Sequence, residues 1–164
     1  MTMKNVGFYG GSSLHELGPS ADVALFFECL DTYVAKGSGS WDLLKDRLYR
    51  RYLKENELNE ALTLMRKVKE AFAELPSSSV DWGNLLNVPH QTRLDPHRSN
   101  LMQVFFTYFE AFDYCVESAK LFLKSWNIYQ PVRLVVSDLP DFMNEKKRVL
   151  EQYDDLEGSA FWLR

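Results

Sequence analysis

The sequence predicts an α+β domain, mainly helical, with a small sheet formed by short N- and C-terminal strands. Three observations predict it. Apolar residues recur at steps of three and four through the first three quarters of the chain, as in helices that bury one face. Short segments with β-branched or alternating patterning stand near both ends. No internal repeat and no long linker divides the 164 residues, so a single domain over 1–164 is expected. Short strands do not persist in isolation, so they are expected to join in one sheet over one side of a helical layer.

The elements follow in chain order. Asn5 to Tyr9, with Val6 and Phe8 in alternation, reads as a strand. Gly10-Gly11-Ser12-Ser13 follows it but lacks the Lys-Ser/Thr of a phosphate-binding loop, so it reads as a turn. Val23, Phe26, Phe27, Leu30, Tyr33 and Val34 give a first helix, starting at Pro19 and Ser20 and stopped by Gly37. Ser40 is a good N-cap for a second, carrying Trp41, Leu44, Leu48 and Tyr52. Leu58, Ala61, Leu62, Met65, Val68, Phe72 and Leu75 form the cleanest stripe, closed by Pro76.

From Pro76 to Ser99 the pattern dissolves into Ser, Gly and Pro punctuation, with room for a short element only between Val80 and Val88. A loop of that length is a candidate for function. Beyond it, Leu101, Phe105, Tyr108, Phe112, Cys115, Ala119, Phe122 and Trp126 keep steps of three and four, predicting one helix of about 26 residues. Val104, Phe109, Val116 and Leu123 widen its apolar arc, as a central helix needs. Pro131 to Val136 reads as a strand, Pro140 as the first position of a further helix, and Ala160 to Leu163 as a terminal strand.

Composition excludes little: 46% hydrophobic and 26% charged residues are those of an average globular chain. The net charge of -4 disfavours a nucleic-acid partner and suits a basic one. Met1 to Gly11 has no apolar run of leader length, and the longest such run in the chain, Val23 to Phe27, is far short of a membrane span. A cytoplasmic protein without membrane contact is the expectation. Cys29 and Cys115 fall on the apolar sides of predicted helices, where buried, reduced thiols are expected.

Candidate chemistry is sparse. His90 and His97 share the irregular loop with Asp95, so a small hydrolase using residues 76–99 is one functional alternative. Their spacing matches no metal pattern, and no metal or other cofactor is expected. No nucleophile elbow is present, and Cys115 faces the wrong side of its helix for a substrate. Acidic residues are more informative. Glu110, Asp113 and Glu117 share one helix face, readable as a surface for a basic partner or as an ordinary solvated face. Residues 137–157 hold seven acids against three basic residues, a net of -4 that equals the whole-chain imbalance. Their densest part, Asp154, Asp155 and Glu157, follows Tyr153, a make-up suited to gripping Arg or Lys. A cytoplasmic adaptor or dimerising protein, with the 14% of aromatic residues forming a homomeric interface, is a further alternative.

Tyr129-Gln130-Pro131-Val132-Arg133, Ser137-Asp138-Leu139-Pro140, Glu145-Lys146-Lys147-Arg148, Tyr153 to Gly158 and Phe161 to Arg164, with the Leu58-to-Leu75 stripe and the aromatic helix, resemble small bacterial immunity proteins. These are encoded beside the toxins of contact-dependent growth inhibition and related polymorphic toxin systems. The resemblance implies a protein that is not an enzyme and that binds a cognate toxin domain, expected to be a nuclease, in the cytoplasm. It would occlude the toxin's active site or an exosite. An acidic surface would complement the basic groove of a nuclease. The resemblance transfers no functional residue, so the partner-binding candidates are those the charge pattern gives: Glu110, Asp113, Glu117, Tyr153, Asp154, Asp155 and Glu157.

Overall fold

The computed structural model describes residues 4–82 and 92–138. It is an α+β arrangement in which helices pack on one face of a four-stranded antiparallel sheet of order β2-β1-β4-β3. β1 (Asn5–Gly10) and β2 (Ser13–Pro19) form a hairpin. β4 (Val132–Val136) lies on the other side of β1, and β3 (Tyr52–Leu53) on its far edge. The predicted strands at Asn5 and Pro131 are both present. β2 is an addition, because His15 and Glu16 break the apolar alternation that marks a strand. The predicted helix from Pro140, the terminal strand Ala160 to Leu163 and most of Val80 to Val88 lie outside the described residues.

Alternation sorts the central strands into two faces. Val6 and Phe8 sit opposite Val136 and Leu134, and Phe8 meets Phe112 edge-on at 5.7 Å, so this face carries the helices. Tyr9, Arg133 and Val135 occupy the other face and are buried as well. Burying a guanidinium requires partners. Arg133 stacks over the Tyr9 ring at 4.6 Å and donates to the Pro131 carbonyl at 2.7 Å.

α1 (Ser20–Cys29) starts where the sequence places it and continues as a π-helical segment, Leu30–Ala35, that ends as Lys36 and Gly37 turn left-handed. Asp22 in its first turn is fully buried, accepting from the Thr92 hydroxyl at 2.8 Å and the Arg93 amide at 2.9 Å. The chain returning from the long loop is thus pinned to α1. α2 (Leu58–Ala73) buries Leu58, Ala61, Met65, Val68 and Phe72 as predicted. Pro76 bridges to Asn100, and the Leu101 amide donates to the Leu75 carbonyl at 2.9 Å, so the loop's two ends meet.

Two predicted helices differ from the structure. The segment from Ser40 to Tyr52 is a 3-10 turn (Gly39–Trp41, capped by Ser38), a π-helical segment (Leu43–Leu48) and then β3. Leu44 and Leu48 are buried, a spacing of four that the wide π turn accepts, while Tyr52 and Leu53 give their backbone to β4. Sheet pairing here overrides helical spacing. The long helix is two: α3 (Leu101–Val104) and α4 (Phe106–Trp126), broken at Phe105. That break sets the buried Phe105 ring among Phe26 at 5.2 Å, Tyr108 at 5.3 Å and Phe72 at 5.9 Å. Phe26 is the hub of this cluster, touching rings from α1, α2 and α4.

The hairpin turn is seated on α4. A Cβ on Gly10 would lie 2.7 Å from the Cys115 carbonyl oxygen, and one on Gly11 only 2.3 Å from that of Ser118. Gly11 also has φ +57, a conformation that costs an L-residue about 1–2 kcal/mol. Gly37, at φ +82, has nothing within 4 Å. Gly37→Ala is therefore expected to cost only that backbone term, and Gly11→Ala to cost about 1–3 kcal/mol more from the collision with α4. Urea-denaturation midpoints of the two variants check the difference, and equal losses would mean the turn does not rest on the helix.

Candidate functional site

The outer face of α4 carries the acidic cluster of Glu110, Asp113 and Glu117. Glu110, Asp113 and Glu117 are all exposed, and none forms an ion pair with another described residue. Their helical positions place them beside large apolar side chains that also face solvent: Phe106, whose ring carries the Lys69 ammonium at 5.5 Å, Tyr114 at 58% exposure and Leu121 at 62%. An ordinary solvated helix face is charged and polar throughout; this one interleaves carboxylates with aromatic and aliphatic groups.

Two causes expose these apolar groups. Tyr114 and Leu121 lie on the polar arc, four and eleven residues from Glu110, away from the stripe that α4 buries against the sheet. Trp126 belongs to the buried stripe, but α4 runs past the core: Cys115 and Ala119 are fully buried, Phe122 is half-buried and Trp126 is 68% exposed. Asn127, left-handed at φ 55, then ends the helix, its amide bonded to the Leu123 carbonyl at 2.8 Å.

Between this end of α4 and the β1–β2 turn lies an open groove of ≈ 350 Å³, lined by Ser12, Ser13, Tyr114, Glu117, Leu121 and Trp126 among others. Its walls are held in place. The Gly11 amide donates to the Gln130 carbonyl at 3.1 Å, and the Ser12 amide to the Ser118 hydroxyl at 3.1 Å. His15 on β2 stacks on Tyr114 with ring centroids 5.5 Å apart. Phe122 and Trp126 lie 6.4 Å apart, centroid to centroid. A second groove of similar volume lies by Phe27 and Tyr49, but there Lys45 already pairs with Asp31 at 2.7 Å.

The other sequence-derived candidates divide clearly. Tyr153, Asp154, Asp155, Glu157 and His90 lie outside the described residues. His97 is exposed, and its amide donates to the Asp95 carboxylate at 2.9 Å, with Arg98 3.5 Å from that same carboxylate, so Asp95 organises a turn. Among the described residues no three His, Cys, Asp or Glu side chains gather into a metal-binding group. Among them too, no helix is long and apolar enough to cross a membrane. Asp138, one of the seven acids of residues 137–157, accepts from the Asn5 amide at 2.8 Å and thereby ties down the end of β4.

Cys29 and Cys115 are free and buried. Burial pushes both thiols up to about 12, so neither supplies a thiolate near neutrality. Both are expected to stay unmodified by a disulfide reagent at pH 8 until the chain unfolds. Rapid labelling of two thiols in native protein would contradict that placement.

Glu16 is a titrating group held by the fold. Its carboxylate accepts from the Ser137 hydroxyl and pairs with Arg93 at 2.6 Å, clamping the end of β4 to the loop return. The Ser137 hydrogen bond first, then Arg93, hold it below the ordinary value of 4.5, against partial burial and the charge of Asp138. A depressed folded-state pKa contributes stability that is present above the unfolded value and is lost as pH falls through the folded one. Stability of the wild type is therefore expected to decline below about pH 4.5 more steeply than that of Glu16→Gln, measured by urea midpoints from pH 6 to 3. Parallel profiles would remove Glu16 from the clamp.

Comparison of the chain with protein-family models, with curated proteins and with solved structures finds no match. The fold and the groove define the chain as an α+β domain with a built, partly apolar and acidic face on one helix.

Proposed function

We propose that this chain is an immunity protein that binds a cognate toxin domain, a nuclease in the reading the charge favours, and neutralises it by occlusion in the cytoplasm of the producing cell. The observation that carries the reading is the exposed face of α4, where Glu110, Asp113 and Glu117 alternate with Phe106, Tyr114 and Leu121. Exposed aromatic and aliphatic anchors ringed by charge are the make-up of a protein-binding surface. Unpaired carboxylates favour a basic counterpart and accelerate its approach. The resemblance of the C-terminal third to immunity proteins supports the same class. In this reading the chain acts by stoichiometric binding and not by catalysis.

Co-expression with the cognate toxin domain, which this reading places in the adjacent gene, tests it. Growth rescue by the wild type and a stable complex of the two purified proteins are expected. The triple variant E110K/D113K/E117K is expected to associate at least tenfold more slowly, with a weaker dependence of the rate on salt. Absence of both rescue and complex formation would overturn the function. Rescue together with unchanged association kinetics in the triple variant would move the contact away from α4.

A further inference from the structure

We infer that the groove between the β1–β2 turn and the C-terminal half of α4 is an anchor site for an arginine side chain on a segment of a protein partner. This rests on the binding-protein reading above and names the chemistry of the contact. The groove joins two features that an arginine satisfies together and that neither an apolar nor an acidic side chain does. One is apolar: Leu121 and the rings of Tyr114 and Trp126 stand open to solvent along it. The other is anionic: Glu117 lines the same groove, with Glu110 and Asp113 on the neighbouring turns; no described cation stands within ion-pair distance of them, and Lys120, one turn from Glu117, donates to Asn59 instead. The guanidinium stacks on an aromatic face while its fork meets a carboxylate, and its aliphatic stem covers apolar surface.

The choice of arginine over lysine follows from the aromatic walls. A planar, weakly hydrated guanidinium stacks on Tyr or Trp at lower desolvation cost than a compact ammonium. Among the described residues none covers Tyr114, Leu121 or Trp126, so both walls stand open to an incoming side chain. The site is also preformed. Stacking by His15, the Ser12–Ser118 bond and the Gly11–Gln130 bond hold both walls before anything binds. Little ordering cost is left for the binding step. Ser12 and Ser13 add polar groups on the opposite wall that can meet the partner's backbone.

The test titrates the 15N-labelled full chain with a blocked peptide, acetyl-Gly-Arg-Gly-amide, and with the same peptide carrying citrulline or lysine. Citrulline keeps the shape of arginine and removes its charge. The arginine peptide is expected to shift the Trp126 indole and the Ser12, Ser13 and Ser118 amides. The citrulline and lysine peptides are expected to bind at least fivefold more weakly. Glu117→Gln, an exposed change that leaves the fold intact, should abolish the preference for arginine over citrulline, and Leu121→Ser should weaken all three peptides. Equal binding of arginine and citrulline peptides, shifts confined to another surface, or no shift at 20 mM peptide would overturn the inference. So would concentration-dependent dimerisation of the free chain that Leu121→Ser relieves, since a second copy would then be the occupant. None of these readouts uses the toxin. A failed rescue with intact arginine binding would sink the immunity reading alone, and rescue without arginine binding would sink this one alone.

Discussion

The approach of the β1–β2 turn to the backbone of α4 is the constraint on which the rest of the arrangement depends. Without side chains at Gly10 and Gly11, the turn lies against the carbonyls of Cys115 and Ser118 and brings the central strand of the sheet directly onto the central helix. That distance lets Phe8 reach Phe112 and closes the core between sheet and helices. It also leaves Ser12 and Ser13 standing beside Tyr114 and Trp126, which makes the groove. Core and candidate site share one contact, so the wall of the site is as rigid as the fold. A larger residue in the turn would open both at once.

Aromatic packing supplies the second layer of the same logic. Phe26 meets Phe72 of α2, Tyr108 and Phe109 of α4, and Phe105 at the break before α4, so α1, α2 and α4 converge on one ring. Such pairs favour edge-on geometries and each adds about 0.5–1.5 kcal/mol beyond the area buried. Phe105, at the break between α3 and α4, is fully buried in this cluster beside Tyr108. Asp22 and Glu16 then fasten the periphery, the first holding Thr92 and Arg93 to α1 and the second holding Arg93 and Ser137 to β2.

Periodicity made the helices legible where one face meets one core. The stripe from Leu58 to Phe72 and the buried run from Leu101 to Ala119 were readable for that reason. It misread Ser40 to Tyr52, because spacings of three and four do not separate an α-helix from a π turn followed by an edge strand whose pairing partner lies some 80 residues away. It passed over β2 because a strand with His15 and Glu16 at its centre has no alternation to show. For the site, the sequence exposed the carboxylates Glu110, Asp113 and Glu117 but assigned Phe122 and Trp126 to the core, since a stripe does not reveal where the core ends. Tyr114 and Leu121 were the available signal: both fall on the acidic arc, off the stripe that the helix buries.

That misplacement bears on the energetics of binding. An exposed Leu or aromatic residue gains nothing in the folded monomer and costs solubility, so several on one face need a compensating gain. Here they are also fixed: α4 extends beyond the last fully buried position, Asn127 caps it, and the return strand passes the hairpin turn through the Gly11–Gln130 bond. Side chains on an anchored helix end lose little freedom when a partner covers them, and burying each then returns about 1.5–3 kcal/mol. In the proposed reading the carboxylates on the same face add little to that sum in water, but would select a basic partner and speed its encounter. Affinity from the rings and selection by the charges are separate contributions, which is why a face needs both to discriminate one basic partner among many.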